Sequence, residues 1–598
     1  MATGKMVSKT EKVLPKKSEQ STSSALKYSY LLIILLPLFV YFPSIKNGYV
    51  YFDDDILILE NQAKLTNPGN IIKAFQSDAF FNKSSPYYRP LLTVSLILDA
   101  QISKSNPWFY HFMNIIYHIL SCLALFWFLG VLGFKKEIRL VATLFFSVHP
   151  LMAGAVYWIP ARNDILVTLF GLLFLSFGIK YIQNRKFSFF AVASIAYSLA
   201  IFSKESAILL PFLLILYLIY SKLFTLDKRK IFLSINLVII TILWYFLRDS
   251  AIANVGMAQV GFWAILANYP FPFEIIAKLF LPINLALTPV YSNFYTILGI
   301  LISVLLLIYI FIHKPQNINL ILFGLAWYIL FSLPNMFVRL DTSSDSYDYL
   351  THRGYLPIVG LVIILIAILT EISTNFDYKG LNRIIPIALL ILFSVSSISQ
   401  AKKYRDSSSF WISSIEKNPE KAWLYYFLGR SHFKKKEITT SEKYFKKAIS
   451  LHKDPRFSFG LCKALYNRES YDSAFQIISE IRTTGMNGTD VSQIYVELSL
   501  ETAKRFFEKG EYSKAVERCQ LAINTDADNA AASFNMGIYL INTGESKKAA
   551  TFWRRSIDLD SELKDAYRNL YYYYLNNTKN LDSTAYYLNQ FQIRGGKI

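Results

Sequence analysis

The sequence predicts an all-α protein of two unlike parts, a polytopic transmembrane helical domain followed by an α-solenoid. The first observation is composition. Of 598 residues, 53% are hydrophobic and 17% charged, with mean hydropathy +0.31, against about 25% charged in an ordinary soluble domain. The second is uneven placement. Residues 1–400 carry 31 Lys/Arg and 19 Asp/Glu, whereas residues 401–598, half as long, carry 31 and 23. The third is a 34-residue period confined to the second part. These observations divide the chain into a basic cytoplasmic tail over 1–28, a membrane domain over 29–400 and a repeat domain over 401–598.

A helix crosses a ~30 Å hydrocarbon core with about 17–25 apolar residues. About eleven runs qualify, near 28–45, 110–133, 139–158, 164–183, 187–203, 206–224, 231–247, 294–313, 318–337, 353–371 and 383–400. No small-residue cleavage site follows the run Tyr30 to Phe42, so it reads as an uncleaved span. The tail is basic (Lys5, Lys9, Lys12, Lys16, Lys17, Lys27), and so is every second loop, at Lys135/Lys136/Arg139, Arg185/Lys186, Lys228–Lys230, Lys314 and Lys379/Arg383. That pattern orients a multi-pass chain with a cytoplasmic N-terminus, and it accounts for the net charge of +20 without nucleic acid as a partner. The other loops, 46–109, 160–164, 203–205, 248–293 and 338–352, then share the extracytoplasmic face. An odd number of spans puts the repeat half there too. The membrane is a bacterial inner membrane or ER-like.

The repeat half keeps register. Gly510-Glu511-Tyr512-Ser513-Lys514-Ala515 recurs 34 residues later as Gly544-Glu545-Ser546-Lys547-Lys548-Ala549, and Ala503 corresponds to Gly537. Helix-turn-helix units with small residues where helices touch are the tetratricopeptide pattern, which offers a groove for peptide or protein and no chemistry of its own. Cys122, Cys462 and Cys519 have neither zinc spacing nor an even disulfide framework.

Chemistry is concentrated in the extracytoplasmic loops. Asp53-Asp54-Asp55 follows the first span, and carboxylates beside a membrane are costly unless solvated or employed. One can act as general base while another orients it, or two can hold a divalent cation, Mg or Mn, with Asp53 and Asp55 as its ligands. Tyr88-Arg89 introduces an apolar helix, Arg162 and Asp164 bracket one loop tip, Lys204-Glu205 form another, and His352-Arg353 open the tenth span. Arg and Lys there suit a lipid phosphate. His111, His118 and His149 form no HExxH and read as packed or capping residues. GxSxG, Walker and dinucleotide motifs are absent from the sequence, which leaves ATP-dependent phosphoryl transfer and hydride chemistry without support.

The segments YFDDDILILEN, YYRPLLTVSLILD, WFYHFMNIIYH, FFSVHPLMAGAVYWIPARNDIL, FSKES and HRGYLP resemble, in order, landmarks of the transmembrane-and-tetratricopeptide-repeat protein O-mannosyltransferases, a family of C-type glycosyltransferases. The resemblance implies a C-type membrane fold and sugar transfer from a polyprenyl-phosphate lipid to Ser or Thr hydroxyls of translocated proteins. The repeat domain would bind the acceptor, with the secretion translocon or other membrane proteins as further partners. Asp53 and Asp54 match the family's acidic pair, with Asn61 at the expected distance and Asp55 an extra acid. Arg162 and Asp164 match its Arg-x-Asp tip, and Lys204 and Glu205 its Lys-Glu pair. Two positions depart from the pattern: Gly154 stands where relatives place an acid, and the basic residue before Tyr355 is split between His352 and Arg353.

Such a transfer needs a base for a poor nucleophile and positive charge for the leaving phosphate. Asp54 is the first choice for base with Asp53 its competitor, attack opposite the phosphate inverting the anomeric carbon. Arg89, Arg162, Lys204, His352 and Arg353 are the phosphate candidates, with Asp55, Asn61, Tyr88, Asp164 and Glu205 in support. A metal at Asp53 and Asp55 is not required. The alternatives are transfer of a whole oligosaccharide, transfer to a lipid or polysaccharide, or a non-catalytic scaffold with a docking arm.

Overall fold

The computed structural model describes residues 19–81, 85–223, 225, 227–252, 261–283, 285–337, 348–375 and 381–597, and every regular element among them is helical. Two compact units emerge, residues 1–419 and 420–598. The boundary therefore falls later than position 400, where charge density changes. The helix Ser407–Ile415 joins the first unit because Phe410 and Trp411 bury their rings against Phe52.

In the first unit the principal helices are α1 (Glu19–Tyr41), α2 (Pro90–Ser103), α3 (Pro107–Val131), α4 (Lys136–Val148), α5 (Pro150–Tyr157), α6 (Arg162–Asn184), α7 (Phe187–Ser203), α8 (Leu210–Tyr220), α9 (Lys228–Ala251), α10 (Pro270–Phe280), α11 (Asn293–His313), α12 (Ile318–Met336), α13 (Tyr355–Asn375) and α14 (Leu381–Gln400). All eleven apolar runs fold as helices, yet only eight described helices are long and apolar enough to cross a membrane alone. The pair α4–α5, bent by 56°, makes a ninth if it counts as one broken span. The bend has a local cause: Pro150 opens α5 without an N–H to give, and the His149 ring accepts the Leu151 N–H at 3.2 Å as a cap. The remaining two runs are the shorter apolar helices Phe187–Ser203 and Glu205–Tyr220. At ~1.5 Å per residue the first reaches only about 25 Å.

Short polar caps and prolines set where the helices begin. Asn106 accepts from the Trp108 N–H ahead of Pro107, and Pro90 opens α2. Several of the loops expected to share a side do meet. Arg89 pairs with Glu205, Lys204 with Asp164, and the Asp348 N–H bonds to the Pro289 carbonyl.

The second unit stacks five helix pairs: α15 (Ala422–Lys434) with α16 (Ile438–Leu451), α17 (Pro455–Asn467) with α18 (Tyr471–Thr483), α19 (Thr489–Glu508) with α20 (Tyr512–Thr525), α21 (Ala530–Asn542) with α22 (Ser546–Leu559), and α23 (Lys564–Tyr573) with α24 (Leu581–Ile593). Small residues fall at the crossings for a steric reason. A Cβ on Gly537 would come within 2.3 Å of the Trp553 ring, and one on Gly429 within 2.8 Å of Phe445. Gly510 and Gly544 close the intra-pair turns at φ +80° and +83°, which glycine adopts without strain. Cys462 and Cys519 are buried free thiols, donating to the Ala474 and Ala532 carbonyls.

Candidate active site

The site grows from the loop after α1. Gly48 is tied to the Arg405 carbonyl at 2.7 Å, and the Tyr49 hydroxyl to the Ser105 carbonyl at 2.8 Å. Between these anchors and the helical turn Asp55–Leu59 the backbone takes two uncommon conformations, with Tyr51 at φ +53° and Asp53 at φ +148°. Such strain in non-glycine residues persists only where the surroundings over-determine it, typically at functional sites. Here the surroundings are an aromatic clamp, Phe52 stacking on Trp158 at 5.4 Å and meeting Trp411 edge-on at 5.3 Å.

The three acids have different environments. Asp54 is buried and spends both oxygens on backbone, accepting the Val50 N–H at 2.7 Å and the Phe52 N–H at 3.1 Å. Asp55 is buried in the turn. Asp53 keeps partial access to solvent; its carbonyl accepts the Leu57 N–H at 2.7 Å, but its carboxyl accepts no hydrogen bond from the described residues. Burial, then repulsion from Asp55 and Asp54, pushes its carboxyl up to about 7, against the pull of Arg89 and Arg353. Burial also raises Asp54 to about 7, opposed by its backbone N–H donors.

Asn61 ties this loop to the next, donating to the Ile56 and Phe80 carbonyls at 2.8 Å each. Tyr88 anchors through its hydroxyl to the Phe75 carbonyl at 2.8 Å and through its N–H to Glu205 at 3.2 Å. Glu205 also accepts from Arg89 at 3.3 Å, and Arg89 packs on the Tyr87 ring. Lys204 donates to Asp164 at 2.6 Å. Burial pulls its amine below the usual value, Asp164 resists, and Arg89 and Arg353 add to the shift. Like charges that perturb one another share one corner. His352 completes it, with Nε2 3.7 Å from Asp164 and its ring on Trp158 at 4.9 Å. Among the described residues Arg353 has no ion-pair partner.

Arg162 differs from the sequence-based expectation. Its side chain is fully enclosed, paired with Asp99 at 2.6 Å and donating to Asn114 at 2.7 Å, Ser95 at 3.0 Å and the Tyr110 carbonyl at 2.9 Å. Protein surrounds this guanidinium and joins it to α2 and α3, so it braces those helices. Its partner Asp99 was missed because, in sequence, it is a lone acid inside an apolar helix. His118 and His111 pack against backbone carbonyls. Asp53 and Asp55 gain no third ligand: the described residues contain no group of three His, Cys, Asp or Glu able to hold a metal.

Residues 90–246 match the family described as dolichyl-phosphate-mannose-protein mannosyltransferase. The chain is 38% identical over 98 residues to human protein O-mannosyl-transferase TMTC1, covering 16% of this chain and 11% of that protein. Against human TMTC2 it is 36% identical over 101 residues, 17% and 12% of the two chains. The chain is similar to the protein O-mannosyltransferases of the transmembrane-and-tetratricopeptide-repeat kind. It spans well under a quarter of these relatives' length. A Caenorhabditis elegans protein O-mannosyl-transferase, F38B6.6, is 26% identical over 168 residues, 26% of this chain and 23% of that one. Among solved structures, YrrB, a TPR protein with an unusual peptide-binding site, aligns at TM-score 0.26 and 18% identity, covering 31% of this chain and 93% of that one.

Proposed function

We propose that the protein is a membrane glycosyltransferase that moves a single sugar, mannose by its relatives, from a polyprenyl-phosphate carrier to Ser or Thr hydroxyls of proteins. One observation carries the reading: the Asp53 carboxyl, unlike that of Asp54, accepts no hydrogen bond from the described residues, and it lies within the fields of Arg89 and Arg353. A carboxylate so placed can take the proton from an attacking hydroxyl. Arg89, Lys204 and Arg353 would meet the phosphate as negative charge grows on it, and attack from the opposite side inverts the anomeric carbon. The geometry thus favours Asp53 over Asp54 as base, with Asp54 shaping the loop. Because three cations can neutralise the leaving group, turnover is expected to survive treatment with a chelator. The repeat unit supports a protein acceptor, since stacked helix pairs offer an extended groove.

The reading is tested by transfer from a polyprenyl-phosphate mannose to a Ser/Thr peptide by the purified protein, followed against pH. Asp53 must be ionised to act, so turnover should rise through about pH 7. Asp55→Asn removes a charge that lifts Asp53 and should move that rise to lower pH. A profile flat across pH 6–8, or transfer only to a lipid acceptor, would overturn the reading.

Orientation is proposed on parity. The short helices α7 and α8 enter or leave the membrane together, so nine and eleven crossings both place the repeats opposite a cytoplasmic N-terminus. A C-terminal alkaline phosphatase fusion should be active and a green fluorescent fusion dark. The opposite pattern would mean that the bent pair α4–α5 does not cross.

A further inference from the structure

Beneath the segment that carries His352 and Arg353 lies a buried charge cluster that the proposed chemistry does not use. It stands on α10, where Glu274 and Lys278 sit one turn apart with side chains 0% and 5% exposed. Lys278 Nζ donates to Glu274 Oε2 at 2.6 Å, and the Tyr349 hydroxyl donates to the same oxygen at 2.7 Å. The Ser292 N–H takes Oε1. The Lys278 amine also lies 5.0 Å from the ring centres of Tyr295 and Tyr349.

The other two partners of Glu274, Tyr349 and Ser292, belong to two irregular stretches, and the rest of the geometry joins those stretches together. The Asp348 N–H bonds to the Pro289 carbonyl and the Thr351 N–H to the Leu287 carbonyl, both at 3.0 Å. The Tyr291 N–H meets Asp348 at 2.7 Å, and its ring stacks on Tyr349 at 5.3 Å. Two residues after Tyr349 begins the turn Thr351–Gly354, closed by the Arg353 N–H on the Leu350 carbonyl at 3.1 Å.

A buried ion pair is weak as a source of stability, because apolar residues of similar volume often serve as well. A carboxylate in that place offers direction instead: one group accepts three bonds and fixes two backbones at once. We infer that Glu274, paired with Lys278, is a positioning residue that acts through Tyr349 and Ser292 to set Arg353 and His352 opposite the acidic loop. The inference rests on the phosphate role proposed above for Arg353.

Tyr349→Phe removes only the hydroxyl and keeps the stack on Tyr291 and the Glu274–Lys278 pair. In the full-length protein, amide exchange over 286–292 and 349–355 should quicken by about tenfold while melting changes little. Binding of a short-chain polyprenyl phosphate should weaken about fivefold in Tyr349→Phe and further in Arg353→Ala, with the double variant no weaker than Arg353→Ala alone. Additive losses, or a lower melting temperature with unchanged affinity, would reduce Tyr349 to a packing residue and overturn the inference. Unchanged exchange alongside normal binding would overturn it as well. A wild-type protein that does not bind the probe would instead remove the phosphate role of Arg353, and the positioning role with it.

Discussion

Asp53→Asn is expected to abolish transfer in a protein that folds and inserts normally. Asn keeps the size of the side chain but cannot take a proton, and losing a positioned general base costs about 10²- to 10⁴-fold in rate. Its folding cost should be small, because the Asp53 carboxyl accepts no hydrogen bond from the described residues and burial already penalises its charge. Asp54→Asn should behave in the opposite way. Each Asp54 oxygen holds a backbone N–H, at 2.7 and 3.1 Å. An amide can accept only one of them and points a donor at the other, a cost of about 1–3 kcal/mol. That variant should melt earlier and lose activity in proportion to the loop it loosens. Transfer by purified variants, with thermal unfolding as control, separates the two. Near-wild-type turnover in Asp53→Asn, together with loss in a stably folded Asp54→Asn, would return the base to Asp54.

Arg162→Met is expected to produce the largest loss of stability of any single change at the site. Removing the guanidinium leaves Asp99 charged and enclosed, with Asn114, Ser95 and the Tyr110 carbonyl short of a donor. Breaking a buried pair on one side typically costs about 3–5 kcal/mol. The double change Arg162→Met/Asp99→Leu should recover part of that loss, because no uncompensated charge remains. The check is the melting temperature in detergent. If Arg162→Met melts like the wild type and loses only affinity for a polyprenyl phosphate, Arg162 is a ligand and not a frame residue.

Much of the architecture was legible because it is periodic or compositional. Apolar runs, basic loops and a 34-residue repeat all leave their mark within short windows of sequence, since a membrane and a stacked helix pair act on each window separately. The grouping of Asp53, Arg89, Asp164, Lys204, Glu205 and Arg353 at one face was legible for the same reason: alternation of loops assigns sides without coordinates. The sequence alone could not divide labour among neighbours. Asp53 and Asp54 are chemically identical, and only the folded loop gives one carboxylate two backbone N–H donors and leaves the other within the fields of Arg89 and Arg353. Arg162 reads as a surface cation until α2 and α3 close around it and supply Asp99, Asn114 and Ser95. The pair Glu274 and Lys278 looks like an ordinary one-turn surface pair, because spacing along a helix carries no record of what covers it. The sequence by itself determined the helices, the membrane, the repeats and which charged loops come together. Tertiary structure decided which of those charged side chains are enclosed and bonded and which remain available, because that depends on partners tens to hundreds of residues away.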